Sequence, residues 1–232
     1  MSNLKITSHN QYKTPRLVPE CLDDSPLVQF HKWMAAALDP VSSGEPEGTP
    51  AVHEPEAMVL GTVEEGGKPS SRVVLLKELD KTGFLFFTNY NSRKSRELTV
   101  NPYASLTFYW RETSRSIRVS GRVERLSAEA SDAYFQSRPR GSRLGAYASK
   151  QSSVVGENTL EDRVKQIEEK FGKEETDGKV PCPEFWGGWR VVPDEVEFWS
   201  GQPSRLHDRF RYLRLDVPTE DGKEWQVDRL SP

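Results

Sequence analysis

Short apolar runs, each closed by a turn signal, dominate the hydrophobic pattern of this chain. Residues 57–63, 72–79, 84–89, 104–110 and 116–126 read as strands. Glu65-Gly66-Gly67-Lys68-Pro69 and Asp80-Lys81-Thr82-Gly83 supply turns between them. Three strand candidates close the chain: 189–192 with 195–199, 205–215 and 225–230. Such a series of adjacent short strands predicts an antiparallel sheet or barrel, not a parallel α/β sheet. Helical spacing appears in a few places only. Ser25-Pro26 suits an N-cap and first helical position, followed by an apolar stripe of Leu27, Phe30, Met34 and Leu38. Ser92 caps a short helix over 93–100 that Asn101-Pro102 stops, and Ser127 caps another running to about 137. Arg138-Pro139-Arg140-Gly141 breaks that helix, and a second short one covers 142–149. Leu160, Val164, Ile167 and Phe171 mark a last amphipathic helix. Residues 1–24 read as a mobile polar arm and 25–232 as a single domain, with loops at 39–56 and 172–184.

Composition narrows the class. The chain has 232 residues, 35% hydrophobic and 29% charged, with six Trp, seven Tyr and ten Phe to build a core. A net charge of −3 excludes a global field that attracts nucleic acid, so any phosphate site must be a local basic cluster. The two cysteines, Cys21 and Cys182, form no CxxC pair and give neither a disulfide framework nor a zinc site. No apolar run approaches the roughly 20 residues of a membrane span. Residues 1–11 lack the apolar core of a secretory signal, so a cytoplasmic protein without a metal is expected.

Three basic clusters carry the candidate chemistry. The first joins Arg72 to Arg93 and Lys94, which lie just inside the predicted helix start after Ser92. Helix N–H groups and three cations there suit one shared phosphate. The second is Tyr134-Phe135-Gln136-Ser137-Arg138-Pro139-Arg140-Gly141-Ser142. Tyr134, Arg138 and Ser142 are spaced by four, so a turn at Pro139 could keep two hydroxyls and a guanidinium convergent. The third is Glu197-Phe198-Trp199-Ser200-Gly201-Gln202-Pro203-Ser204-Arg205-Leu206-His207-Asp208-Arg209. Alternation puts Arg205, His207 and Arg209 on one strand face and turns Leu206 toward the core. Guanidinium forks bind phosphate and stack on flat rings, so this face suits an anionic planar partner. Gly61-Thr62-Val63-Glu64-Glu65-Gly66-Gly67-Lys68 nearly imitates a phosphate-binding P-loop, but Pro69 follows Lys68 and a hairpin fits better.

The third segment resembles the C-terminal signature of the pyridoxamine (pyridoxine) 5′-phosphate oxidases, FMN enzymes that make pyridoxal 5′-phosphate. Ser71-Arg72-Val73-Val74-Leu75-Leu76-Lys77, Phe86-Phe87-Thr88-Asn89-Tyr90-Asn91-Ser92-Arg93-Lys94 and Lys150-Gln151-Ser152-Ser153 resemble further segments of that family. The resemblance runs from about Pro26 to Pro232. It implies a mainly β split barrel with peripheral helices, and a homodimer with FMN at the interface.

The resemblance also implies roles. Arg72, Arg93 and Lys94 would hold the FMN phosphate, with Val73, Val74, Leu75, Phe87 and Thr88 bordering the flavin. Gln151, Ser152, Trp199 and Arg209 would contact the flavin, with Gln151, Trp199 and Arg209 reaching one held mainly by the partner chain. Lys77, Tyr134, Arg138 and Ser142 would anchor the substrate phosphate, while Arg205 and His207 orient the ring as the catalytic pair. Tyr12 and Lys13 would close over the substrate, and Trp186, Trp189 and Trp199 suit a buried dimer interface. Ser116 and Ser200 stand where the family often has Gln, so Ser116 would reach the flavin through water. The implied reaction oxidises pyridoxamine or pyridoxine 5′-phosphate, with O2 as acceptor and H2O2 released. A ligand carrier without turnover and a split-barrel NAD(P)H flavin reductase remain as alternatives from the same residues.

Overall fold

A computed structural model of the chain describes residues 4–5, 11–12, 14–173 and 178–232; His9 and Lys13 lie outside the described residues. Five α-helices are found among these residues: α1 (Pro26–Leu38), α2 (Arg93–Val100), α3 (Ala128–Ser137), α4 (Arg140–Ala148) and α5 (Thr159–Phe171). The strands are β1 (Ala57–Val63), β2 (Pro69–Leu75), β3 (Glu78–Leu79), β4 (Phe84–Asn89), β5 (Tyr103–Trp110), β6 (Arg115–Arg125), β7 (Trp186–Ser200), β8 (Asp208–Arg214) and β9 (Trp225–Arg229). They pair in the order β2-β1-β5-β6-β7-β4-β3, with β8 added to β7 and β9 to β8. This is a curled, mainly β split-barrel sheet, the fold class that the strand pattern and the resemblance imply.

The chain divides into two compact units. One comprises Val59–Ser105 and Ser120–Pro193. Here β4 runs antiparallel to the first half of β7, from Phe84↔Val191 to Asn89↔Trp186. Two of its helices, α2 and α3, begin where the sequence says they should, while α4 starts at Arg140, two residues before the expected 142. The Ser92 side chain accepts from the Ser95 N–H and Ser127 from the Ala130 N–H, closing helix ends that would otherwise leave donors unpaired. Phe135, Leu144, Val180 and Trp186 form a buried cluster under α3 and α4. Gly187 and Gly188 are required beside it, because a Cβ on either would enter Tyr90 and Ser131 or Leu126 and Phe87.

The other unit comprises Met1–Met58, Leu106–Val119 and Asp194–Pro232. The second half of β7 pairs with β8, placing Trp199 opposite Arg209, and β8 pairs with β9. Its core is aromatic: Phe30 meets Phe108 at 5.0 Å, Trp33 meets Phe198 at 5.1 Å and Phe198 meets Tyr212 at 5.6 Å. The last two are edge-on and the first is tilted, and ring contacts of this kind add to the burial of the rings themselves.

Several expectations shift. On α1 the buried side is Phe30, Trp33, Ala36 and Ala37, and Leu38 is 61% exposed, so the stripe is rotated toward the indole. Leu160 and Val164 of α5 are exposed, and only Ile167 and Phe171 pack against the Phe135 cluster. The strand over 72–79 is split at Leu76-Lys77, and the two at 189–192 and 195–199 are one continuous β7 that carries Pro193. Trp186 and Trp189 are buried in their own unit: Trp186 stacks on Tyr134, and Trp189 Nε1 donates to Ser95 Oγ at 3.1 Å. They are therefore core residues, not surface for a partner. Finally, β8 starts at Asp208, not Arg205. Pro203–Arg205 forms a 3-10 turn with Ser204 and Arg205 at φ 56° and 64°, because the chain must reverse between antiparallel strands. Arg205, His207 and Arg209 thus do not share a strand face, and Leu206 is 68% exposed.

Candidate functional site

The first basic cluster is organised around a residue absent from the sequence reading. Glu97, on α2, is 5% exposed and accepts from Thr62 Oγ1, Ser70 Oγ at 2.7 Å, Arg93 Nε at 2.7 Å and Arg72 Nη2 at 3.2 Å. Burial alone would raise its pKa, but these four donors outweigh burial and hold the carboxyl at about 2. Arg72 also donates to Leu60 O, Thr62 Oγ1 and Ser70 Oγ, so its plane is fixed. The spacing of Arg93 and Glu97 by four on one helix signals their ion pair, but not the hydroxyls and the second guanidinium that make Glu97 a hub.

Lys94 is buried beside it and touches only neutral oxygens, Thr88 Oγ1 at 3.2 Å and Gln151 Oε1 at 2.8 Å. Burial, then the Arg72 charge, pushes this ammonium down to about 8, with Glu97 pulling partly back. The Arg93 N–H donates to Ser152 Oγ at 3.2 Å. Gln151 and Ser152 therefore join the basic cluster of their own chain. The exposed edge of β2 presents Val73 and Leu75, with Val74 half-buried. Lys77 is exposed just beyond it.

The second cluster lies in the same unit. Tyr134 on α3 stacks on Phe87 at 3.8 Å and 18°. The Arg138 guanidinium lies 4.7 Å over the Trp186 ring, and its Nη1 is buried without a hydrogen-bond partner among the described residues. Burial lowers the Arg138 pKa. A buried guanidinium nitrogen without an acceptor is costly, so this arrangement is suited to an incoming anion. The helix does break at Arg138, and Ser142 sits exposed on the first turn of α4.

The third cluster belongs to the other unit and opens on a cavity of about 670 Å³ lined by Tyr12, Ser116, Glu197, Trp199, His207 and Arg209. Glu197 is a second hub: it accepts from Arg209 Nε at 2.7 Å and Arg118 Nη2 at 3.0 Å. His207 Nδ1 accepts from the Gln202 N–H at 3.0 Å, which leaves the proton of a neutral ring on Nε2. Burial first, and then Arg205 and Arg209, lower its pKa and favour that neutral form. Arg205 itself is exposed. Ser116 Oγ donates to Phe108 O at 2.9 Å, which occupies the hydroxyl proton. Tyr12 packs edge-on to Trp199 and His207, both at 5.5 Å, and Gly201 is needed because a Cβ would stand 2.7 Å from the tyrosine ring. Thr14, Arg16 and Leu17 follow in the same segment and bond to Gly201 O and to buried Asp208.

Among the described residues no helix is long and apolar enough to cross a membrane, no cluster has the ligands for a metal ion, and both cysteines are free thiols.

The fold defines a class. The chain aligns over 94% of its length, at TM-score 0.78 and 32% identity, with 99% of PhzG from Burkholderia lata 383, solved with tetrahydrophenazine-1-carboxylic acid. It also shares its fold, at TM-score 0.66 and 16% identity, with a pyridoxamine 5′-phosphate oxidase-related, FMN-binding protein of Nostoc punctiforme. Sequence comparison then names the family. Residues 45–171 match the pyridoxamine 5′-phosphate oxidase profile, and 186–232 match the pyridoxine 5′-phosphate oxidase C-terminal dimerisation region. The pyridoxine/pyridoxamine 5′-phosphate oxidase of Paraburkholderia phytofirmans is 48% identical over 212 residues, 91% of each chain. That of Burkholderia pseudomallei strain 1106a is 49% identical over the same length and coverage. The chain belongs to the pyridoxine/pyridoxamine 5′-phosphate oxidase family and is an oxidase of that kind.

Proposed function

We propose that the protein oxidises pyridoxamine 5′-phosphate and pyridoxine 5′-phosphate to pyridoxal 5′-phosphate as a cytoplasmic homodimer bearing FMN, with O2 as acceptor and H2O2 released. Bound FMN would supply the hydride acceptor for the substrate C4′ carbon and the route to O2. Arg72, Arg93 and Lys94, supported by Thr88, Gln151 and Ser152, have the charge and donor set for its phosphate and ribityl chain. The backbone of Val73 to Leu75 and of Phe87 borders the ring. Trp199 and Arg209 meet the flavin of a second copy, in keeping with the dimerisation region of the family. Lys77, Tyr134, Arg138 and Ser142 hold the substrate phosphate, while Arg205 and the Nε2–H of His207 orient the substituent at C4′. Tyr12 forms a wall over the same ring.

The observation that carries this reading is Arg138, a half-buried guanidinium held over Trp186 whose buried Nη1 lacks an acceptor among the described residues. A phosphate oxygen would supply the acceptor that this nitrogen lacks. The test is the visible spectrum of purified protein, then oxygen uptake with pyridoxamine 5′-phosphate. A flavin band with substrate-dependent uptake is expected, and Arg138→Ala should keep the band while raising KM on the order of 10²-fold. A colourless protein, or an Arg138→Ala variant that turns over like the parent, overturns it. The PhzG relative raises a second reading, oxidation of a reduced tricyclic acid. Oxygen uptake with tetrahydrophenazine-1-carboxylic acid and not with the phosphorylated pyridines would favour that one.

A further inference from the structure

Glu97 stands inside the cluster assigned to the FMN phosphate, although its charge opposes a phosphate. It is held there by design of its surroundings. Thr62 of β1, Ser70 and Arg72 of β2, and Arg93 of α2 all donate to the one carboxylate. Two of these donors are hydroxyls, which keep it ionised without neutralising it. Arg72 spends Nη1 on Leu60 O and Thr62, and Nη2 on Ser70 and Glu97, so its donors face the carboxylate side. Arg93 commits Nε there as well. An arriving phosphate must therefore compete with Glu97 chiefly for Arg72, whose two terminal nitrogens are both engaged, while Arg93 keeps Nη1 and Nη2 off that carboxylate and Lys94 hydrogen-bonds to neutral oxygens only.

Resting on the assignment of this cluster to the FMN phosphate, we propose that Glu97 is a positioning residue that acts as the competing anion of the cofactor site. It stabilises the cationic cage of the free protein and weakens the hold on FMN. Removing its charge should then move the two quantities in opposite directions. A residue that only braced the arginines would move them together.

The experiment compares FMN and riboflavin, which lacks the phosphate, by flavin fluorescence quenching, with thermal melts of apoprotein. Glu97→Gln is nearly isosteric and keeps one acceptor oxygen. It should lower the apoprotein Tm and tighten FMN on the order of tenfold, with riboflavin unchanged, because a full charge is removed a few ångströms from the phosphate. Weaker or unchanged FMN binding in that variant overturns the proposal. Should it fail to fold, Ser70→Ala gives the answer with both charges kept. With that hydroxyl gone, Glu97 loses a donor and Arg72 Nη2 loses an acceptor, so the two close on each other and FMN should bind about two- to threefold more weakly. Unchanged or tighter binding there overturns the proposal. Arg93→Ala and Lys94→Met test the assignment beneath it. If neither lowers the preference for FMN over riboflavin, the cluster is not the phosphate site. If both lower it and Glu97→Gln does not raise it, only the role given to Glu97 fails.

Discussion

Glu97 and Glu197 are each buried, at 5% and 6% exposure, and each gathers two arginines, yet the two hubs are built differently. Glu97 shares its lone pairs between two hydroxyls and two guanidiniums. Glu197 has guanidiniums only, from Arg118 and Arg209, and lines an open cavity. Hydroxyl donors let a carboxylate organise cations that must still bind something else. A carboxylate satisfied by guanidiniums alone ties up more of their N–H donors, so those arginines have fewer left for a ligand. The first construction suits recognition of an anion, and the second suits holding one guanidinium, Arg209, edge-on to a flat partner. Both carboxyls lie below their ordinary range despite burial: Glu97 through hydrogen bonds from Thr62, Ser70 and the arginines, Glu197 through Arg209 and Arg118.

The largest effect should separate the hubs by stability. Arg72→Ala removes the guanidinium that bridges Leu60, Thr62, Ser70 and Glu97, and leaves a buried carboxylate underpaired. A cost of about 3 kcal/mol is expected, with loss of FMN on dilution. Arg209→Ala leaves Arg118 in place beside the cavity and should cost about 1–2 kcal/mol. Urea melts of the two variants decide this, and equal costs would erase the distinction between the hubs.

Next in size is a pH effect confined to the first hub, since only it contains a lysine. Lys94 faces Arg72 of β2, Glu97 of its own helix, and the neutral Thr88 and Gln151. Its ammonium sits at about 8, below the ordinary lysine value, and a phosphate needs it protonated. FMN affinity should fall above pH 8, approaching tenfold per unit, while riboflavin affinity stays flat. The same group works the other way on the apoprotein. Between about 8 and the ordinary lysine value near 10.4 the unfolded chain binds more protons, so the contribution of Lys94 to stability rises with pH there. Lys94→Met should abolish the step in FMN affinity; a step that persists assigns it to another group.

At the acid end the sign reverses. The stabilisation tied to Glu97 is complete above the ordinary carboxylate range and is lost as pH falls through that range toward about 2. Glu97→Gln should flatten this acid limb of an unfolding curve, and an unaltered limb would mean that other carboxyls govern it.

What was legible in the sequence was local. Ser92 and Ser127 announced helix starts, and the strand series announced the sheet, because capping and alternation depend on neighbours a few residues apart. The basic clusters were visible as composition, and Arg72, Arg93 and Lys94 do gather at one end of one unit. Their organiser was not. Glu97 receives Thr62 and Ser70 across more than 25 residues of chain, a pairing that sheet register creates and no spacing announces. Trp33 was missed on α1 for a related reason: the helix turns to meet Phe198, whose position depends on β7. Alternation also failed between Arg205 and Arg209, where Pro203 and two left-handed residues make a reversal that reads locally as strand.

The smallest effect tests that reversal. An extended strand through Arg205-Leu206-His207 would bury Leu206, and truncating it to Ala would cost roughly 2–5 kcal/mol. In the turn observed, Leu206 is 68% exposed and packs into no core. Leu206→Ala should therefore change stability by no more than about 0.5 kcal/mol, whereas Phe198→Ala, fully buried on the strand before it, should cost about 3–5 kcal/mol. Arg205→Ala belongs with Leu206 in stability but not in catalysis: its melt should match the parent while KM for pyridoxamine 5′-phosphate rises and kcat falls. The turn keeps this arginine exposed, unlike Arg209, which Glu197 and the Ser231 carbonyl hold. If Leu206→Ala melts like a core variant, the segment is a strand after all, and Arg205 and His207 return to one face beside Arg209.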